Sequence, residues 1–346
     1  MTAVNLAWAV NPTLPIVLPL LAAFLLQPLA RVSEPLARIL GPLVLVTCGW
    51  LIYQLWLAHG GEPVAVAIGS FAAPLGIVLY VDRIALLFAI AVPTFALLFW
   101  PWSVSGERAA RESALLLLLV ASVTGLALSG DIFNIYVFYE LAAVASFGLV
   151  TVHATGRAYV ATIRYLLQSA FGSLLALVGI AILYTKTGTL NLAQLSQVAP
   201  TTLHDAMGLA SFALMLVGFG VKGELFPVNT WVPEVYATAP ARVSALLAGL
   251  VSKLAVLVVV RLLVLVFHQP EAAQLLLILG VLGMISGELS AWRAKDYPRM
   301  LAFSSIGQLG MVFIAFSISG PIGVLAGLAV ALHHLVVKSG FFALAH

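Results

Sequence analysis

Charge is scarce in this chain: only 8% of its 346 residues are Asp, Glu, Lys or Arg. Cysteine is scarcer still. Cys48 stands alone, which excludes an intrachain disulfide, a cysteine-ligated iron–sulfur cluster and a Cys-based zinc site. Lys and Arg are spread over short loops rather than gathered in a patch, so no nucleic-acid partner is expected. The net charge of +3 is too small to point to any partner. The first apolar run has neither a basic n-region nor a small-residue cleavage site. It reads as a retained helix rather than a cleaved signal peptide.

Apolar sequence dominates. Hydrophobic residues make up 62% of the chain and the mean hydropathy is +1.12. Apolar runs of about 20 residues recur throughout, each long enough to cross a bilayer as a helix. A soluble α/β enzyme would show shorter runs alternating with polar faces. The fold class is therefore an all-α polytopic membrane protein. Eleven spans fit the runs: 5–29, 39–58, 84–104, 112–130, 131–151, 160–184, 206–230, 241–266, 272–291, 300–319 and 322–346. Segment 60–82 carries Gly60-Gly61, Pro63 and Pro74-Leu75-Gly76 around short β-branched runs, which predicts an extracytoplasmic hairpin. Segment 186–205 reads as a polar-interrupted loop with room for a short interfacial helix.

Loop charges orient the spans. With the N-terminus outside, Arg31, Arg38, Arg108, Arg111, Arg157, Arg164, Arg242, Arg293, Lys295 and Arg299 fall on the cytoplasmic side. The opposite side receives Arg83, Lys186 and Arg261. This bias of ten to three predicts a multi-pass protein of the cell inner (plasma) membrane, N-terminus outside.

The few charges inside the spans are the candidate site. A charged side chain in hydrocarbon costs several kcal/mol or more, and it persists where it meets a partner or a wet cavity. Glu140 lies nine residues past Asp131 in the run Asp131-Ile132-Phe133-Asn134-Ile135-Tyr136, about 14 Å along a helix. That is near the middle of a core about 30 Å thick. A structural glutamate bonded to a neighbouring helix is the plainer alternative. Lys222 sits in Gly218-Phe219-Gly220-Val221-Lys222-Gly223-Glu224-Leu225-Phe226-Pro227, where three glycines and a proline weaken the helix. Broken helices at membrane depth line cavities. The alternative is a Lys222 that snorkels to the headgroups. Glu224, two residues on, points to a different helix face and is not an obvious partner for Lys222.

Lys253 is twelve residues into the eighth span with apolar flanks, too deep to snorkel. Burial lets a lysine exchange its proton near neutral pH. His334 and Lys338, four apart, share a helix face and suit a relay. His333 and His334 point about 100° apart on a helix and have no third ligand nearby, which argues against a metal site. Ser304, Ser305 and Gln308 of the tenth span could hydrogen-bond between helices or to water.

A short internal match links the sixth and eleventh spans. Gln168-Ser169-Ala170-Phe171 follows Tyr165, and Lys338-Ser339-Gly340-Phe341 follows His334-Leu335. The offset is five spans, an odd number, so the copies would have inverted topology, a common transporter design. The same offset carries Lys222 past His346, and the chain stops inside an apolar run. The second repeat therefore reads as incomplete.

An ordered set of motifs now resembles a family. It comprises Asp131 to Glu140, Gly188-Thr189-Leu190-Asn191, Lys222 with Phe226-Pro227, and Trp231-Val232-Pro233-Glu234. Ala239-Pro240 with Ser244 and Lys253, and Leu301-Ala302-Phe303-Ser304-Ser305, complete it. Together they are similar to the antiporter-like subunits of respiratory complex I, Mrp-type cation/proton antiporters and membrane-bound hydrogenases. Gly76-Ile77-Val78 before Asp82, with Gly188 to Asn191, looks most like the D-type subunit of Mrp antiporters, with the N-type subunit of complex I next. The resemblance implies a fourteen-helix fold with two inverted five-helix repeats, of which this chain would hold about eleven helices. The implied division is a three-helix region with the hairpin (1–105), a first repeat (106–268) and an incomplete second repeat (269–346).

The resemblance also implies roles. Glu140 would pair with Lys222, Lys253 would connect, and His334 and Lys338 would lie in a broken eleventh helix. Three positions depart from the pattern: Pro298 replaces a lysine, Asn229 replaces a histidine, and Glu224 is an extra carboxylate. The expected function is proton or Na+/H+ translocation within a multisubunit Mrp-type antiporter. The alternative is a proton-pumping subunit of NADH:quinone oxidoreductase or a membrane-bound hydrogenase. No flavin, iron–sulfur or nickel site is evident, so no cofactor, no metal and no redox chemistry are expected in this chain. Its partners would be other integral membrane subunits, protons and Na+.

Overall fold

The computed structural model describes residues 11–60, 62–71, 73–74 and 76–345. The expected start of the first span at 5–10, Gly61, Leu75 and His346 lie outside them. Among the described residues, nine helices are long and apolar enough to cross a membrane. Two shorter apolar helices, Arg83–Leu98 and Ala206–Gly220, bring the number to the eleven expected. The chain forms two compact units, Met1–Val152 and His153–His346.

The first unit holds α1 (Leu14–Val32), α2 (Glu34–His59), α3 (Arg83–Leu98), α4 (Gly106–Leu128) and α5 (Ile132–Val150). Helix α4 is its centre and packs against α1, α3 and α5. Between α2 and α3 stands the expected hairpin: β1 (Val64–Ala67) pairs antiparallel with β2 (Val78–Val81), with Val64 opposite Val81. The hairpin is tied to the start of α5, where Gly130 N donates to Val78 O at 2.9 Å. Asp131 follows and caps α5, accepting from Phe133 N at 2.9 Å and Asn134 N at 3.0 Å. An Asp there satisfies amides that have no partner within the helix.

The second unit begins with α6 (Gly156–Thr187), 32 residues long. The expected interfacial helix is α7 (Leu192–Thr202), capped by Asn191. Helix α8 (Ala206–Gly220) packs tightly on α6. A Cβ at Gly218 would lie 2.5 Å from Gly172 O, so both positions need glycine for the helices to touch. The chain then runs as turns to α9 (Val232–Thr238). A single span, α10 (Ala241–Val266), follows with π-helical turns at Leu247–Val251 and Leu262–Val266. Helices α11 (Pro270–Trp292) and α12 (Tyr297–Ser317) pack as a pair, and α13 (Pro321–Leu344) packs on α12 and α10.

One expectation fails here. The eleventh span is not broken: α13 runs without interruption past His334 and Lys338. Its proline is at the first turn, where no amide is lost. Leu328 to Lys338 contains neither Gly nor Pro. The break falls instead around Lys222, where glycine is concentrated.

Candidate functional site

Helix α8 stops two residues before Lys222. The Lys222 side chain is 2% exposed and donates to Ser169 Oγ of α6 at 3.2 Å, so it does not snorkel. Trp231 Nε1 satisfies the Val221 carbonyl at 3.0 Å, and the Trp231 ring stacks on Tyr165 with centroids 3.9 Å apart. Ser169 belongs to the Gln168-Ser169-Ala170-Phe171 stretch that matches Lys338-Ser339-Gly340-Phe341. The second copy also bonds across helices: Ser339 Oγ donates to Ala245 O of α10 at 3.0 Å.

Glu224 departs most from the sequence reading. Its φ is +58°, a left-handed conformation that costs a non-glycine residue about 1–3 kcal/mol. The reversal turns the side chain into the protein, where it is 1% exposed. Tyr236 of α9 donates its hydroxyl proton to Glu224 Oε1 at 2.7 Å. Asn229 Nδ2 donates to the Glu224 carbonyl at 3.1 Å. Oε2 has no hydrogen-bond partner. Glu224 stands within electrostatic reach of Lys253 and Lys338.

Lys253 on α10 is fully buried. Its ammonium donates to Ala248 O and, at 2.9 Å, to Ser252 Oγ. Ala248 belongs to the π-helical turn, and such turns concentrate at functional sites. His334 and Lys338 face the same interior from α13, 1% and 2% exposed. His334 Nε2 is 3.3 Å from Ser305 Oγ of α12, and Lys338 donates to Leu301 O at 3.4 Å. His334 Nδ1 is buried without a partner. His333, about 100° around the helix from His334, is exposed. Lys253, His334 and Lys338, on two packed helices, thus form one charged cluster with Glu224.

Glu140 sits half-buried on α5 of the first unit, one helical turn after Tyr136, with which it interacts electrostatically. The four expected cationic positions, Lys222, Lys253, His334 and Lys338, all belong to the second unit.

Sequence reasoning missed the inward turn of Glu224 and its bond to Tyr236; Ser305, expected to bond between helices, meets His334. Glu224 carried a signal: an extra carboxylate within a glycine-rich break. Tyr236 carried none.

Comparison with known proteins adds the family. Residues 129–346 match the family model described as NADH:quinone oxidoreductase/Mrp antiporter, TM. The chain is 31% identical to the D-type subunit of the Na(+)/H(+) antiporter of Alkalihalophilus pseudofirmus, over 95% of this chain and 68% of that one. It is 30% identical to the N-type subunit of the NADH-quinone oxidoreductase of Desulforudis audaxviator, over 96% and 69%. Among solved structures it is similar to a chain of the membrane-bound sulfane sulfur reductase, an archaeal respiratory membrane complex. That match has a TM-score of 0.88 at 32% identity, covering 96% of this chain and 69% of that one. With a family model over most of its length and relatives at this level of identity, the chain belongs to the NADH:quinone oxidoreductase/Mrp antiporter transmembrane family.

Proposed function

We propose that this chain is a cation/proton-translocating membrane subunit of a multisubunit Mrp-type antiporter, moving protons or exchanging Na+ for H+. The observation that carries this reading is the buried cluster of Lys253, His334 and Lys338 on two packed apolar helices. Isolated buried charges are costly, and a cluster of exchangeable groups is worth that cost where protons must pass. The likeness to the D-type antiporter subunit of Alkalihalophilus pseudofirmus supports the Mrp assignment.

In the proposed mechanism Glu140 and Lys222 are the groups at which the cycle starts. A change at these groups alters how tightly Lys222 holds its proton. The proton passes through water towards Lys253 and on to His334 and Lys338. A buried charge left uncompensated drives the transfer. Ser169 holds the Lys222 head in place at the start of the route.

The second reading is a proton-pumping subunit of NADH:quinone oxidoreductase or a membrane-bound hydrogenase, driven by electron transfer in other subunits. The likeness to the N-type oxidoreductase subunit of Desulforudis audaxviator favours it. In both readings the partners are other integral membrane subunits, and the chain lies in the inner membrane with its N-terminus outside. The test is Glu140→Gln and Lys253→Ala in the assembled complex, with proton and sodium flux measured. Loss of flux in both supports translocation through these residues; unchanged flux in both sinks it.

A further inference from the structure

The translocation reading leaves the buried carboxyl of Glu224, in the second unit, without a task. Glu224 is 1% exposed and held in a left-handed backbone conformation that few glutamates adopt. Its Oε1 accepts from the Tyr236 hydroxyl at 2.7 Å. Tyr236 is itself fixed. Its ring meets Trp231 edge-on at 5.7 Å and Phe342 at 5.1 Å, and its carbonyl accepts from Ser244 Oγ at 3.0 Å. Oε2 is buried and makes no hydrogen bond of ordinary geometry, though the Ser305 side chain interacts with the carboxyl.

The groups that act electrostatically on this carboxyl come from four elements. Tyr236 comes from α9, Lys253 from α10, Ser305 from α12 and Lys338 from α13. His334 stands one helical turn before Lys338, with Nε2 3.3 Å from Ser305 Oγ. Glu288 of α11 reaches Lys338 electrostatically. Two lysines and one enclosed carboxyl cannot all be neutralised by pairing among themselves. Protonation of Glu224 therefore deprives both lysines of their shared negative charge.

We propose that Glu224 is a proton-exchanging carboxyl of this cluster, which passes its proton through the Ser305 hydroxyl to His334 and, once ionised, is the shared counter-ion of Lys253 and Lys338. In the step, the O–H bond of the Glu224 carboxyl breaks and its proton goes to Ser305 Oγ. The proton that Ser305 carried goes to His334 Nε2. Glu224 ends as a carboxylate, Ser305 as a neutral hydroxyl and His334 as an imidazolium. The step needs His334 in the tautomer whose proton is on Nδ1. The Tyr236 bond holds the carboxyl so that one oxygen stays free for the exchange.

This proposal rests on the translocation reading, and the experiment separates the two. The assembled complex is reconstituted in vesicles, its subunit content is verified, and proton flux is measured across a pH series. The variants are Glu224→Gln, Tyr236→Phe, Lys253→Ala and Glu140→Gln. Glu224→Gln is expected to lower flux by about tenfold or more, as removal of an acid–base group does. Tyr236→Phe keeps the ring packing and is expected to move the pH of half-maximal flux up by about half a unit, because the carboxylate loses a donor. Wild-type flux in Glu224→Gln with lost flux in Lys253→Ala overturns the proposal alone. Full flux in Lys253→Ala, together with full flux in Glu140→Gln, overturns the translocation reading. If Glu224→Gln does not assemble, an unmoved pH profile in Tyr236→Phe overturns the proposal.

Discussion

Ser339 of α13 stands directly against Gly249 of α10: a Cβ built at position 249 would overlap Ser339 Oγ and lie 3.0 Å from its Cβ. The contact brings the helix of Lys253 against the helix of Lys338. Gly249 also lies in the π-helical turn that presents the Ala248 carbonyl to Lys253. One small residue thus sets the spacing of the charged cluster.

Gly249→Ala is accordingly expected to destabilise the unit by about 1–3 kcal/mol, the usual cost of overpacking. A lower unfolding midpoint of the purified complex would register it. Ser339→Ala removes the clashing hydroxyl, so the double variant should cost less than the two single changes together. Strict additivity would contradict the contact.

Ser169 gives a second prediction. It accepts a 3.2 Å bond from the buried Lys222 ammonium. Hydrogen bonds to charged groups contribute about 1.5–3 kcal/mol. Ser169→Ala should reduce proton flux several-fold, and Ser169→Thr, which keeps the hydroxyl, should reduce it less. Equal flux in Ser169→Ala and the unaltered protein would remove Ser169 from the route.

A third prediction concerns the loop before α8. Lys186 pairs with Asp205 at 2.5 Å, and Asp205 also caps Gly208 N at 2.9 Å. The Lys186 hydrogen bond, then the cap, hold the exposed Asp205 carboxyl below the usual range. A lowered value in the folded state means a contribution present at neutral pH and lost as pH falls through that value, below about 4. Thermal unfolding curves of Lys186→Gln and the unaltered protein should differ slightly near neutral pH and coincide at the acid end. Divergence that grows in acid would contradict the pairing. Salt should shrink the neutral-pH difference, since the pair is exposed.

The sequence was most legible where physics acts locally. Apolar runs predicted the nine helices long enough to cross a membrane among the described residues, since length and hydropathy suffice to mark a helix in lipid; of the other two expected spans, 206–230 ends as a helix at Gly220. Pro63 and Pro74 marked the hairpin, and the glycines around Lys222 marked the end of α8. The site was legible in its cations, because Lys253, His334 and Lys338 are conspicuous in apolar surroundings. Glu224 was read on the assumption of helical geometry, in which i and i+2 face apart. The left-handed turn at Glu224 removed that geometry, and a single φ angle has no periodic signature. The π-helical turn before Lys253 was invisible for the same reason. The expected break in α13 came from family resemblance and not from its residues. Leu328 to Lys338 holds no helix breaker, and the helix is continuous.

In the proposed route Lys253 carries protons from Lys222 to His334 and Lys338. The most direct measurement is proton flux through vesicles containing the assembled complex with Lys253→Gln, which keeps a hydrogen-bonding head on a slightly shorter side chain but removes the exchangeable charge. The account predicts a fall of about tenfold or more with unchanged assembly. Flux equal to that of the unaltered complex would contradict it.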